Sequence, residues 1–202
     1  MTQATTRIET LSDGVFAIAM TLLVLDLKVP LGVPSNELFD AILRLTPQWI
    51  AYSVSFMVLA VYWIGHHNQF HWIKQTNRTL LWINIFFLMS IAFLPFSTSL
   101  LASYNHEKTA VIIYGINVSF SGLTLYFHWL YASGKGKLIG ESVNKRMIYI
   151  TKFRILIGIG FYIATTLIAF FSTTISLILY AALPFFYMIR SKGDEMYKKG
   201  EK

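Results

Sequence analysis

The chain has 202 residues, of which 55% are hydrophobic and only 13% charged, and its mean hydropathy is +0.54. An ordinary soluble domain is about 25% charged, and a fold of this size has too much surface to coat with so few charges. The composition therefore excludes a soluble enzyme and points to an integral membrane protein. The net charge of +7 fits Lys- and Arg-rich loops on one face of a bilayer better than nucleic-acid binding. The lack of cysteine excludes disulfides, thiolate catalysis and Cys-ligated metals.

A bilayer core of about 30 Å takes about 20 helical residues to cross, and six segments qualify. The first, 7–28, is read as retained, because no small-residue cleavage site follows it. Pro30, Gly32 and Pro34 then break the chain. The second runs over 36–65, with its apolar core from Trp49 onward. The third covers 78–104 and contains Pro95, where the missing N–H frees a carbonyl and predicts a kink. The fourth, 107–131, leads into Ser133-Gly134-Lys135-Gly136-Lys137. The fifth and sixth, 147–170 and 173–189, leave only a few residues around Phe171 for a tight helical hairpin.

With the N-terminus in the cytoplasm, the inner loops and tails hold all but three of the 17 Lys and Arg. The outer side keeps Lys28, Arg44 and Lys108. The positive-inside rule then places both termini in the cytoplasm, which an even number of spans requires. No long motif recurs, so residues 1–202 are assigned to one all-α, six-helix membrane unit with no soluble domain.

The first span carries more polar chemistry than the rest. Arg7, Glu9, Ser12 and Asp13 lie in its opening turns and Asp26 near its far end. Ionisable groups in a span are costly and face a partner or water. Ile18, Leu22 and Leu25 recur at i, i+4 and i+7 and form one aliphatic stripe, with Thr21 at its flank. Asp13 precedes Ile18 by five residues, about 140° around the wheel, so it faces elsewhere. Periodicity alone leaves the stripe open between lipid contact, core packing and a special role. Partners for Asp13 are at hand toward the cytoplasmic side, in Trp63-Ile64-Gly65-His66-His67 and in Asn84 of the third span. A buried Asp–His–Asn network with Arg7 nearby would satisfy the carboxylate. A structural clamp is favoured over an acid–base site. Either His66 or His67 is placed to reach Asp13. His67 and His71 are four apart and share a helix face, but no second His-rich span supplies opposing ligands, so no metal site is expected. Asp26 is either a charge at the outer mouth or a helix-end charge paired with Lys28.

Arg7 followed by Leu11-Ser12-Asp13-Gly14-Val15-Phe16-Ala17-Ile18-Ala19-Met20-Thr21-Leu22-Leu23-Val24-Leu25 resembles the signature first helix of the transmembrane protein 175 family, lysosomal potassium channels with single-repeat prokaryotic relatives. Trp63 with His66-His67, Asn84, and Leu94-Pro95-Phe96-Ser97-Thr98 extend the likeness through the first three spans; the last three match in length and spacing only. Leu11 departs from the family's usual Phe. The resemblance implies a homotetramer whose first helices line a central pore. It implies an aliphatic constriction at Ile18, Leu22 and Leu25, with Ile18 narrowest, and a selectivity layer at Thr21. It also implies a bracing network of Arg7, Ser12, Asp13, Trp63, His66, His67 and Asn84.

The function expected on this basis is a modestly potassium-selective cation channel in the plasma membrane. Its partners are K+, other monovalent cations, membrane lipid and its own copies, with no cofactor beyond the permeant ion. No Thr-Val-Gly-Tyr-Gly loop occurs, so a carbonyl filter is not available. No arginine ladder or nucleotide loop occurs either. The main rival is a proton-coupled transporter using Asp13 with His66 or His67 as a relay. Against it, paired broken helices and inverted repeats are absent. A membrane enzyme is disfavoured because no nucleophile motif accompanies His66, His67, His71 and Asp13.

Overall fold

The computed structural model describes residues 4–28, 31–141 and 143–188. Pro30, the last residue of the expected sixth span and the basic residues from Arg190 onward lie outside the described residues. The described chain is helical: α1 (Thr6–Leu22), α2 (Leu38–Leu43), α3 (Thr46–Trp72), α4 (Arg78–Ser103), α5 (Lys108–Ser133), α6 (Lys145–Ile168) and α7 (Thr173–Met188). The end of α1 tightens into a 3-10 turn over Leu23–Asp26, and a second such turn, Ser35–Glu37, precedes α2. Five of these segments are long and apolar enough to cross a membrane: α1 with its 3-10 turn, α3, α4, α5 and α6. The 16 residues of α7 rise about 24 Å, short of a full core.

The expected second span, 36–65, is not one helix. Leu45 interrupts it, and α3 begins at Thr46 with Pro47 in its first turn. Proline fits there because the first helical N–H groups have no intrahelical partner, whereas inside a helix it would clash with the carbonyl four residues back. At its other end α3 continues through Gly65 to Trp72. A Cβ on Gly65 would sit 3.3 Å from Leu125 Cδ2, so this glycine marks close packing of α3 on α5 rather than a stop. Likewise α4 runs unbroken through Pro95, which is buried. The tight turn between the last two helices is present at residues 169–172.

Side-chain caps define two helix starts. Asn77 accepts from Leu80 N at 3.0 Å and Asn144 from Arg146 N at 2.9 Å, each satisfying an end N–H that the helix cannot. An isolated antiparallel bridge between Ile73 and Ile139, with Gly140 N donating to Trp72 O at 3.0 Å, ties the α3–α4 and α5–α6 loops together. Beneath it lies a cluster that includes Ile8, Phe70, Trp129 and Leu138. The larger core, around Phe16, Tyr62, Phe87 and Ile91, is built where α1, α3 and α4 meet.

Several buried polar groups between helices pair with one another, as an apolar surround favours. Asn117 Nδ2 donates to Ser90 O at 2.9 Å and Ser97 Oγ to Asn117 Oδ1 at 2.8 Å, which stitches α4 to α5. Thr98 Oγ1 donates to Ser55 Oγ at 2.8 Å, and Ser55 to Tyr114 Oη at 3.2 Å, which joins α4, α3 and α5.

Candidate functional site: the two faces of the first helix

Helix α1 has two unlike faces. Ile8, Ser12, Phe16, Ala19 and Leu23 are buried, with Phe16 and Leu23 only 1% exposed. Their spacing of three or four residues keeps them on one side, and that side packs on α4 and α3. The other side is bare within the subunit. Ile18 is 61% and Leu25 67% exposed, and Leu22 is exposed with them. The stripe read from periodicity is therefore real, and it does not face the subunit's own core. Thr21 sits beside it, also exposed; its hydroxyl lies 2.9 Å from both Ala17 O and Ile18 O. The proton is thus committed to the backbone, and the oxygen lone pairs are left to face outward.

Two separate fastenings hold the helix. In the first, Trp63 Nε1 donates to Asp13 Oδ1 at 2.9 Å, while His67 stacks on the Trp63 ring at 5.5 Å between centroids and 26° between planes. The second is a buried chain. Asn84 Nδ2 donates to Ser12 Oγ at 3.2 Å, and Ser12 donates to Ile8 O at 2.7 Å. Because Asn84 uses its N–H on Ser12, its Oδ1 is the acceptor, and His66 Nε2 donates to it at 2.9 Å. His66 also stacks on Phe87 at 5.3 Å and 13°, which fixes the ring plane.

The expected Asp–His–Asn network is corrected on two points. Among the described residues no hydrogen bond joins Asp13 to His66 or His67; the carboxylate takes the Trp63 indole instead, and Ser12 takes the histidine arm. Neighbouring residues on a helix point about 100° apart, so Ser12 and Asp13 meet different partners. Arg7 is exposed, and among the described residues no hydrogen bond joins it to either arm. Asp26 departs from the Lys28 pairing considered above: it accepts from Ser99 Oγ of α4 at 3.0 Å, which anchors the far end of α1. No cluster of three potential metal ligands exists among the described residues, and His71 is exposed.

Sequence reasoning missed His128. It is fully buried in α5, and its Nδ1 lies 2.7 Å from Gln69 Oε1. Gln69 Nε2 donates to Leu125 O at 3.1 Å, so the Gln69 carbonyl accepts and His128 Nδ1 donates. The His128 ring lies 5.7 Å from that of His66, so a second histidine-to-amide pair backs the first. An ionisable residue inside the C-terminal part of the fourth apolar segment was the available signal.

The family profile described as "Endosomal/lysosomal potassium channel TMEM175" matches residues 7–95, which reaches from α1 into α4. A potassium channel of Streptomyces collinus is 33% identical over 185 residues, covering 90% of both chains. One of Chamaesiphon minutus is 31% identical over 194 residues, covering 94% of this chain and 96% of the relative. The crystal structure of a lysosomal potassium-selective channel TMEM175 homolog from Chamaesiphon minutus superposes with a TM-score of 0.83 at 30% identity, covering 93% of this chain and 98% of that one. The likeness thus extends past the first three spans into the second half of the chain.

Proposed function

The chain belongs to the TMEM175 potassium channel family, and from that premise we propose that it is a potassium-permeable cation channel with an aliphatic constriction formed by its first helix. In this reading four copies surround a central path and each contributes the stripe Ile18, Leu22 and Leu25. Helix α7 crosses the bilayer as a sixth, short span, and both termini lie in the cytoplasm at the plasma membrane.

The observation that carries the reading is the asymmetry of α1. One side is held by Trp63–Asp13, by His66–Asn84–Ser12 and by Ser99–Asp26; the other presents large aliphatic side chains that stand exposed. A helix fixed so firmly on one side can hold a narrow ring in register. A ring of Ile18 side chains blocks hydrated ions sterically and by dewetting. Passage needs partial loss of the hydration shell, which potassium gives up more readily than sodium. Aliphatic groups replace none of the lost ligands, so selectivity is modest. The outward lone pairs of Thr21 supply some replacement, and Asp26 concentrates cations at the outer mouth.

Replacing the ring tests this directly. In planar bilayers Ile18→Asn wets the constriction, raising current and weakening K+ over Na+ selectivity, while Ile18→Leu keeps both near the unaltered values. Unchanged currents in Ile18→Asn would remove the first helix from the ion path.

A further inference from the structure

An open groove of about 720 Å³ runs between α4 and α5. Phe86 of α4 and Phe120, Phe127 and Tyr131 of α5 wall it, and it ends at Gly134 and Lys135. The α5 residues recur at intervals of seven and four, so they form one continuous stripe along the helix. Thr124 also lines the groove, but its hydroxyl lies 3.0 Å from both Phe120 O and Ser121 O, so it offers no donor to an occupant. Polarity is confined to one end. There Asn77 Nδ2 donates to the Tyr131 hydroxyl at 3.0 Å, which brings the first residue of α4, Arg78, to the same end as Lys135. Both cations are exposed. From Phe120 to Ser133 the helix rises about 20 Å, the depth of one leaflet with the start of its headgroup layer.

We propose that this groove binds an anionic phospholipid, with an acyl chain laid along the Phe120–Tyr131 stripe and the phosphate at Lys135 and Arg78. The occupant follows from the distribution of chemistry. A small polar solute finds no partner along the apolar walls, and a neutral apolar molecule makes no use of two cations at the end. A molecule with one long apolar part and one negative end uses both. On the orientation proposed above, the basic end lies in the inner leaflet, where anionic lipids attract juxtamembrane cations. The site is separate from the α1 stripe, so it stands whether or not that stripe lines the ion path.

Native mass spectrometry of the purified full-length protein, incubated with equimolar phosphatidylglycerol and phosphatidylcholine of identical chains, tests the assignment. Phosphatidylglycerol is retained in preference. Arg78→Gln with Lys135→Gln reduces that preference by about fivefold for each charge removed, and the charge-keeping pair Arg78→Lys with Lys135→Arg preserves it. Thr124→Trp, which fills the groove, lowers retention of both lipids. Equal retention of the two lipids by the unaltered protein, or a preference that survives the double glutamine variant, overturns the proposal. So does a change of subunit stoichiometry in Thr124→Trp with lipid retention intact, because that result assigns the groove to a second copy of the chain.

Discussion

Asn84 uses both ends of its amide between α1 and α3, donating to Ser12 and accepting from His66. Asn84→Ala therefore strands a buried imidazole N–H and removes a tie to α1. Leaving a buried donor unpaired costs about 1–3 kcal/mol, so the melting temperature of the purified protein in detergent falls. Asn84→Asp keeps an acceptor for His66 but loses the donor to Ser12, and falls between the two. A melting temperature unchanged in Asn84→Ala would show that the chain carries no stability. Thr21 gives a second test at this scale. Thr21→Val keeps the shape and removes the oxygen whose lone pairs face outward, so the reversal potential under K+/Na+ gradients moves toward zero while the current persists. The residue-level pattern was only half legible in the sequence. That Ile18, Leu22 and Leu25 share one face follows from helical period alone, because which residues align along a helix is a local property; that the face is exposed does not. The partner of Asp13 did not follow. An indole fifty residues away and two candidate histidines stand within four positions on α3, and only the rotation of α3 about its axis chooses Trp63.

At the scale of elements, helix contacts in an apolar solvent depend on close approach of small residues. Gly115 on α5 shows how tight this becomes: a Cβ there would collide with the Tyr180 hydroxyl and with Thr166 Oγ1. Those two groups are themselves hydrogen-bonded at 2.9 Å, so neither moves freely. Gly115→Ala overpacks the α5–α6–α7 contact at a cost of about 1–3 kcal/mol and lowers the melting temperature. Gly14 on the bare face of α1 has nothing within 4 Å of a Cβ, so Gly14→Ala leaves the stability of the isolated subunit unchanged; equal losses in both variants would contradict this packing. Helix existence was legible throughout, since runs of apolar residues leave few alternatives. Boundaries were not. The break before α3 is marked by Pro47, yet helix-compatible residues on both sides of it make 36–65 read as one span. The extension of α3 to Trp72 was hidden because His66 and Gln69 look like loop residues until His128 and Asn84 supply their partners.

For the whole molecule, the unequal distribution of Lys and Arg sets the proposed orientation. The chain lacks cysteine, so single cysteines introduced one at a time report sidedness without background. Cysteine at Lys135 in the α5–α6 loop is labelled only from the cytoplasm, and cysteine at Lys108, at the start of α5, only from outside. Labelling of both from one side would contradict the crossing by α5 on which the topology rests. What the sequence of one subunit cannot convey is the surface that the proposed assembly would form between copies. The aliphatic face of α1 looks like any lipid-facing stripe until its opposite face proves fully anchored, because period and hydrophobicity are the same for pore, lipid and core.

The central claim is passive cation flow past the first helix. The most direct test is the reversal potential of the purified protein in a planar bilayer, with K+ on one side and Na+ on the other. The account predicts an ohmic current that reverses toward the K+ equilibrium potential, and that grows and loses selectivity in Ile18→Asn. A bilayer with no passive current, in which flux appears only when a proton gradient is imposed, would contradict it and favour coupled transport.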